Sequence, residues 1–173
     1  MNTKKQEELI HSFLAELDDE SRRLYRSIIM YLSEFGYHPQ KGKSSISFKH
    51  DQHNKQMAKI GIRINKKQAS SPFFALRFSA CRGYSQRFID IVRSYMTQYP
   101  ARVSQCMHNG GCHFCAGDAE THVYTYTFPN EETKAHCGAY AIEIPDITAD
   151  DVAEIKALIK EEHEYLLEHE VGR

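Results

Sequence analysis

The sequence predicts an α+β fold: a largely antiparallel sheet of about five strands, two N-terminal helices, one middle helix, a long C-terminal helix and a cysteine-rich metal-binding loop. Three observations carry this. Apolar residues recur at helical spacing at both ends of the chain. Between Ser44 and Ala80 they alternate with a period of two. From Cys106 to Asp118, thirteen residues hold three cysteines, two histidines and three glycines, a composition suited to neither helix nor strand. At 173 residues the chain reads as a single domain, 1–173, with a helical part over 1–36 and a cysteine-rich insertion over 106–137.

The first helix begins at Thr3, whose spacing to Gln6 is that of a capping box, and carries Leu9, Ile10, Phe13, Leu14 and Leu17 as one stripe. A second stripe follows "DDES" through Leu24, Ile28, Tyr31, Leu32 and Phe35, and Gly36 is the expected stop. His38-Pro39 is expected to open a loop. "SSISFKH", "MAKIGIRI" and "FFALRFSA" read as three strands of a meander; Ala58, Ile60, Ile62 and Ile64 share one face of the second, Lys59 and Arg63 the other. Ser85 caps a helix with Phe88, Ile89, Val92, Tyr95, Met96 and Tyr99 on its buried side, ended by Pro100. After the cysteine segment, "THVYTYTF" is a strand, "PNEET" a turn and "AYAIEI" a last strand. Thr148 with Asp151 caps a long final helix carrying Val152, Ile155, Leu158, Ile159, Tyr165 and Leu166.

Composition narrows the setting. The N-terminal stretch "MNTKKQEELIHSF" is charged and unlike a signal peptide, and no run of about eighteen apolar residues exists, so no membrane partner is expected. A cytoplasmic location is the expectation; thiols there stay reduced, which raises the weight of metal or catalytic roles for clustered cysteines. Charge is uneven: residues 41–105 hold thirteen Lys and Arg against Asp51 and Asp90, whereas residues 146–173 hold nine acids and three bases. The two regions are expected mainly to attract each other, with Arg77, Arg82 and Arg87 pairing with the acidic last helix.

The chemistry sits in Cys106-x5-Cys112-x2-Cys115-x21-Cys137. A C-x2-C pair lets two thiolates converge on one ion from a tight turn, and Gly110, Gly111, Gly117 and Gly138 relieve backbone strain beside it. Cys137-Gly138 would approach from the far side of a hairpin and close a tetrahedron. Four soft sulfurs point to Zn²⁺ ahead of an iron–sulfur cluster. His108, His113, His122 and His136 lie near enough to substitute for one cysteine, although a solvated loop residue or a hydrogen-bond donor to a ligand is the plainer reading of each. Such a site has no open position, which makes it structural, and the segment has little apolar surface with which to offset its own ordering. A catalytic zinc would want a carboxylate base, for which Asp118 and Glu120 are the neighbours. Covalent haem is excluded because Ala116 stands where C-x2-C-H needs histidine. A dithiol redox pair of Cys112 and Cys115 remains an alternative. Cys81 reads as a core residue.

Two surfaces could take partners. Tyr124, Tyr126 and Phe128, with Tyr140, read first as the core face of their sheet and second as a stacking surface for a small ligand. Lys43, Lys49, Lys55, Lys59, Arg63, Lys66 and Lys67 make a basic face that would attract phosphate or nucleic acid, without any recognition motif to specify it. A protein partner is equally open.

At "CRGYSQRF", "CMHNGGCHFC", "YTYTFPN" and "HCGAYAIEIPDITADDVAEIKALI" the chain resembles a family of small uncharacterised proteins of Gram-positive, Firmicutes-type bacteria. The resemblance runs from about Phe78 to Leu167 and implies that Cys106, Cys112, Cys115 and Cys137-Gly138 act together. It implies no activity. The expected function is therefore that of a cytosolic zinc-binding protein with a structural four-cysteine site and a ligand-binding or regulatory role.

Overall fold

The computed structural model describes residues 3–64, 70–104 and 119–169. Two helices come first, α1 (Lys4–Ala15) and α2 (Asp19–Glu34). The Thr3 capping box forms as expected, Thr3 and Gln6 each accepting the other's backbone N–H. At α2 the Asp18 carboxylate accepts from the N–H groups of Glu20 and Ser21. Gly36 ends α2 in a left-handed conformation, φ +78°.

The strands are β1 (Tyr37–Lys41), β2 (Ile46–His50), β3 (Gln56–Arg63), β4 (Ser71–Leu76), β5 (Val123–Thr127), β6 (Thr133–Cys137) and β7 (Ile142–Ile144). Five of them form one antiparallel sheet in the order β1-β2-β3-β4-β7, and β5 and β6 pair as a separate ribbon. Helix α3 (Gln86–Gln98) lies against β5 and β7, and α4 (Ala149–Glu168) packs along α2. No helix among the described residues is long and apolar enough to cross a membrane.

The α+β expectation holds, with differences in detail; Tyr99, expected on the buried side of α3, caps that helix and is exposed. The expected loop at His38-Pro39 is the edge strand β1, where a proline is tolerated because no outer strand asks for its N–H. Ile64 lies beyond the end of β3 and is 86% exposed, while Met57 is fully buried, so β3 buries residues of both faces. The partner of β5 is β6, within a segment of mixed polarity, whereas "AYAIEI" leaves the ribbon and joins the main sheet beside β4. Tyr140 therefore sits in the turn between β6 and β7, not on a strand, and is exposed.

One core runs through the fold. Tyr25 packs on Phe13 and Phe74, and Phe78 packs edge-on to both Phe88 and Tyr124. Tyr124 is buried with its hydroxyl satisfied: it accepts from the Phe78 N–H at 3.0 Å and donates to the Tyr140 carbonyl at 2.9 Å. The stacking-surface reading of Tyr124 thus gives way to the core one.

Three polar side chains of α4 are buried: Asp151, Glu162 and His163. Asp151 closes the Thr148 capping box and takes a two-point bond from Arg87, Nε to Oδ1 at 2.6 Å and Nη2 to Oδ2 at 3.1 Å. Glu162, wholly buried, receives Arg77 Nε at 2.7 Å and the Ala80 N–H at 2.8 Å. The basic and acidic regions do attract each other, through Arg77 and Arg87. The Arg82 guanidinium instead reaches the carbonyls of Ser79, Cys81, Glu120 and Thr121, and it is its backbone N–H that meets Glu161.

Candidate metal centres

Among the expected metal ligands, Cys106, Cys112, Cys115, His108 and His113 lie outside the described residues. Cys137, His136 and His122 lie within them. Cys137 is half-buried at the end of β6, opposite Val123 of β5. On the other edge of β6, Val103 bridges His136, with the Ser104 N–H on the Ala135 carbonyl and the Cys137 N–H on the Arg102 carbonyl. The chain thus enters the cysteine segment on one side of β6 and, by the turn Ala119–Thr121, leaves it into β5 on the other. Two strand spacings, about 10 Å, separate the two approaches, and Cys137 lies between them.

Alternation along β6 puts the Cys137 and His136 side chains on opposite faces of the ribbon. His136 takes the inner face, 0% exposed, 5.6 Å from the Tyr95 ring, and neither ring nitrogen has a hydrogen-bond partner among the described residues. Burial, helped by the charges of Lys134 and Arg102, holds its pKa below the usual 6.5, so it is neutral at pH 7. His122 is buried as well. Neither is the solvated loop residue that its place in the sequence suggests.

Gly138 has a reason beyond strain relief. A Cβ there would overlap the His122 carbonyl oxygen and press on Ser79. Ser79 Oγ donates to the Gly138 carbonyl at 3.1 Å, and Ser79 also meets Glu162 at 3.4 Å. The buried carboxylate of α4 thereby reaches the residue next to Cys137. Cys81 is a core residue as expected: its thiol donates to the Leu158 carbonyl, and burial, with Glu162 and Glu161 nearby, pushes its pKa far up.

A second cluster has no counterpart among the sequence-based expectations. His50 at the end of β2, His53 in the following turn and His163 on α4 each offer a ring nitrogen, all three within 4.8 Å of one another. His50 and His53 stack nearly parallel at 4.1 Å, and His50 and His163 are buried. Gly36 lets the chain pass beside His50, whose Nε2 would lie 3.2 Å from a Cβ at that position. Tyr37 Oη sits 3.2 Å from His163 Nδ1, while the N–H groups of Gln52 and Lys55 donate to Nδ1 of His50 and His53 at 3.3 and 3.1 Å.

These contacts occupy Nδ1 of His50 and His53 as acceptors and leave Nε2 of those two rings as the nitrogen not used by them. A ring accepting at Nδ1 carries its proton on Nε2, so an ion at Nε2 would move that proton to Nδ1, against the Gln52 or Lys55 N–H, at a cost of about 1–3 kcal/mol for each donor left unsatisfied. Tetrahedral Zn–N bonds of about 2.1 Å set N···N at about 3.4 Å, so the near-parallel His50–His53 stack would have to open for both rings to face one ion.

An open cleft of about 680 Å³ lies between α3 and the β4–β7 edge of the sheet. Arg102 lines it, stacked 4.1 Å from the Tyr99 ring and 4.8 Å from that of Tyr140, and no carboxylate bonds it among the described residues. Arg63 and Arg87 also line it but are held by Glu143 and Asp151. Of the basic face, Lys43 and Lys59 are exposed, and Lys66 and Lys67 lie outside the described residues.

Compared with protein-family models, curated proteins and solved structures, the chain gives no match. Function rests on this geometry and on the sequence.

Proposed function

We propose that the protein binds zinc through Cys106, Cys112, Cys115 and Cys137 in a structural site, within a reducing, cytoplasmic setting that keeps thiols available. The position of Cys137 carries the reading: it stands between the described residues that lead into the cysteine segment and those that follow it. Opposite faces for Cys137 and His136 favour four thiolates over a site in which His136 joins Cys137. An ion here would tie the segment to the β5–β6 ribbon and, through Gly138, Ser79 and Glu162, to the last helix.

Cobalt substitution tests the reading. The untagged protein should take up Co²⁺ with a thiolate charge-transfer band that Cys137→Ser weakens and Cys112→Ser abolishes. A missing band, together with a Cys112–Cys115 disulfide forming readily in air, would replace zinc by dithiol chemistry.

The Arg102 cleft supports an associated ligand-binding role. A guanidinium stacked between tyrosines is pre-organised for a small planar or anionic ligand, carboxylate or phosphate. Arg102→Gln should weaken binding of such a ligand while leaving the fold intact.

A further inference from the structure

We infer that His50, His53 and His163 form a second, separate metal site that takes a first-row transition ion of the zinc type through three imidazoles. The ligand chemistry is specific. Three neutral nitrogen donors with no thiolate suit Zn²⁺, Ni²⁺ or Cu²⁺ and disfavour Mg²⁺ or Ca²⁺, which want oxygen. The convergence is built by the fold and owes nothing to local sequence alone: β2, the turn after it and α4 each supply one ring, and α4 lies more than a hundred residues from the other two.

The surroundings orient the third ring. His163 is oriented by Tyr37 through Nδ1 and packed edge-on to Phe35 at 4.8 Å, which fixes its direction. His50 lies beside Gly36 and stacks on His53, a stack that the ion would open. His53 is the least buried of the three rings, although its Nε2 is covered. No fourth His, Cys, Asp or Glu joins the three among the described residues, so a tetrahedral ion would keep one position for water or an exogenous ligand. That separates this centre from a four-thiolate one: it is exchangeable, and it binds α4 to the β2–β3 turn.

The test is Co²⁺ titration of the untagged full chain, followed by absorption and equilibrium dialysis. The expected result is one cobalt equivalent without thiolate charge transfer, weakened about 100-fold or more in His53→Gln. His53 is the ligand least buried, so this variant keeps its fold, and its circular dichroism and melting in the absence of metal should match wild type. His50→Gln should weaken the same equivalent. Equal cobalt uptake by wild type and both variants overturns the inference. Because the readout is the nitrogen-only equivalent, loss of the thiolate band in the cysteine variants bears on the proposed function alone.

Discussion

Glu162→Ala removes the wholly buried carboxylate that ties the last helix to the loop after β4. Its side chain is 0% exposed and that of Arg77 is 3% exposed, and their bond of 2.7 Å is reinforced by the Ala80 N–H at 2.8 Å. Removing one partner of such a pair costs about 3–5 kcal/mol, because the other charge stays buried and loses that carboxylate. The orphaned Ala80 N–H adds about 1 kcal/mol. The total, about 4–6 kcal/mol, is a large part of the about 5–15 kcal/mol by which domains of this kind are stable. At about 2–4 °C per kcal/mol for a chain of this size, the midpoint should fall by roughly 8–24 °C. Thermal and urea unfolding followed by circular dichroism measure the two quantities, with Glu164→Ala as control; Glu164 pairs with Lys160 at 3.8 Å on the exposed face and should cost under about 0.5 kcal/mol. If Glu162→Ala loses less than about 1 kcal/mol, the buried lock between α4 and the loop after β4 does not exist as described.

Other perturbations follow from single contacts. Gly138→Ala forces a Cβ into the His122 carbonyl and should cost about 2 kcal/mol or more by thermal unfolding, whereas Gly83→Ala, with nothing near its Cβ, should cost only the strain of its φ of +81°. Asp151 is pushed up by burial but held net below its ordinary 3.8 by the Thr148 N–H and by Arg87. A depressed folded pKa contributes stability that is present above 3.8 and lost as pH falls through the folded value, so the gap in unfolding free energy between wild type and Asp151→Asn should be flat at neutral pH and close below about pH 4. Cys81 should resist alkylation in the folded chain and react only on unfolding, since burial keeps it a thiol. Fast labelling of Cys81 under native conditions would contradict its bond to the Leu158 carbonyl.

What the sequence discloses divides along physical lines. Helices with stripes and caps are legible, down to the boxes at Thr3 and Thr148, because those signals are local. β6, "TKAHC", is not: it is short, half polar, and is a strand because β5 and Val103 pair with it. Arginines meeting the acidic helix can be expected from charge, but burial of Glu162 at 0% exposure cannot, since its neighbours in "EEHEY" look like a solvated face. The His50-x2-His53 spacing in "HDQH" is a visible metal-pair signal, yet two histidines alone specify little. Their third member, His163, is joined to them only by the tertiary packing of α4. At Gly138 the sequence suggests strain relief, and the carbonyl above it is a fact of packing that no spacing encodes.

The most direct test of the central claim is elemental analysis of the chain purified without a metal-affinity tag, beside Cys112→Ser and Cys137→Ser. The account predicts bound zinc that falls by one equivalent per chain in Cys112→Ser, and falls in Cys137→Ser, each with a lower melting temperature. Zinc content unchanged by both substitutions, or no zinc in the wild-type chain, would contradict it.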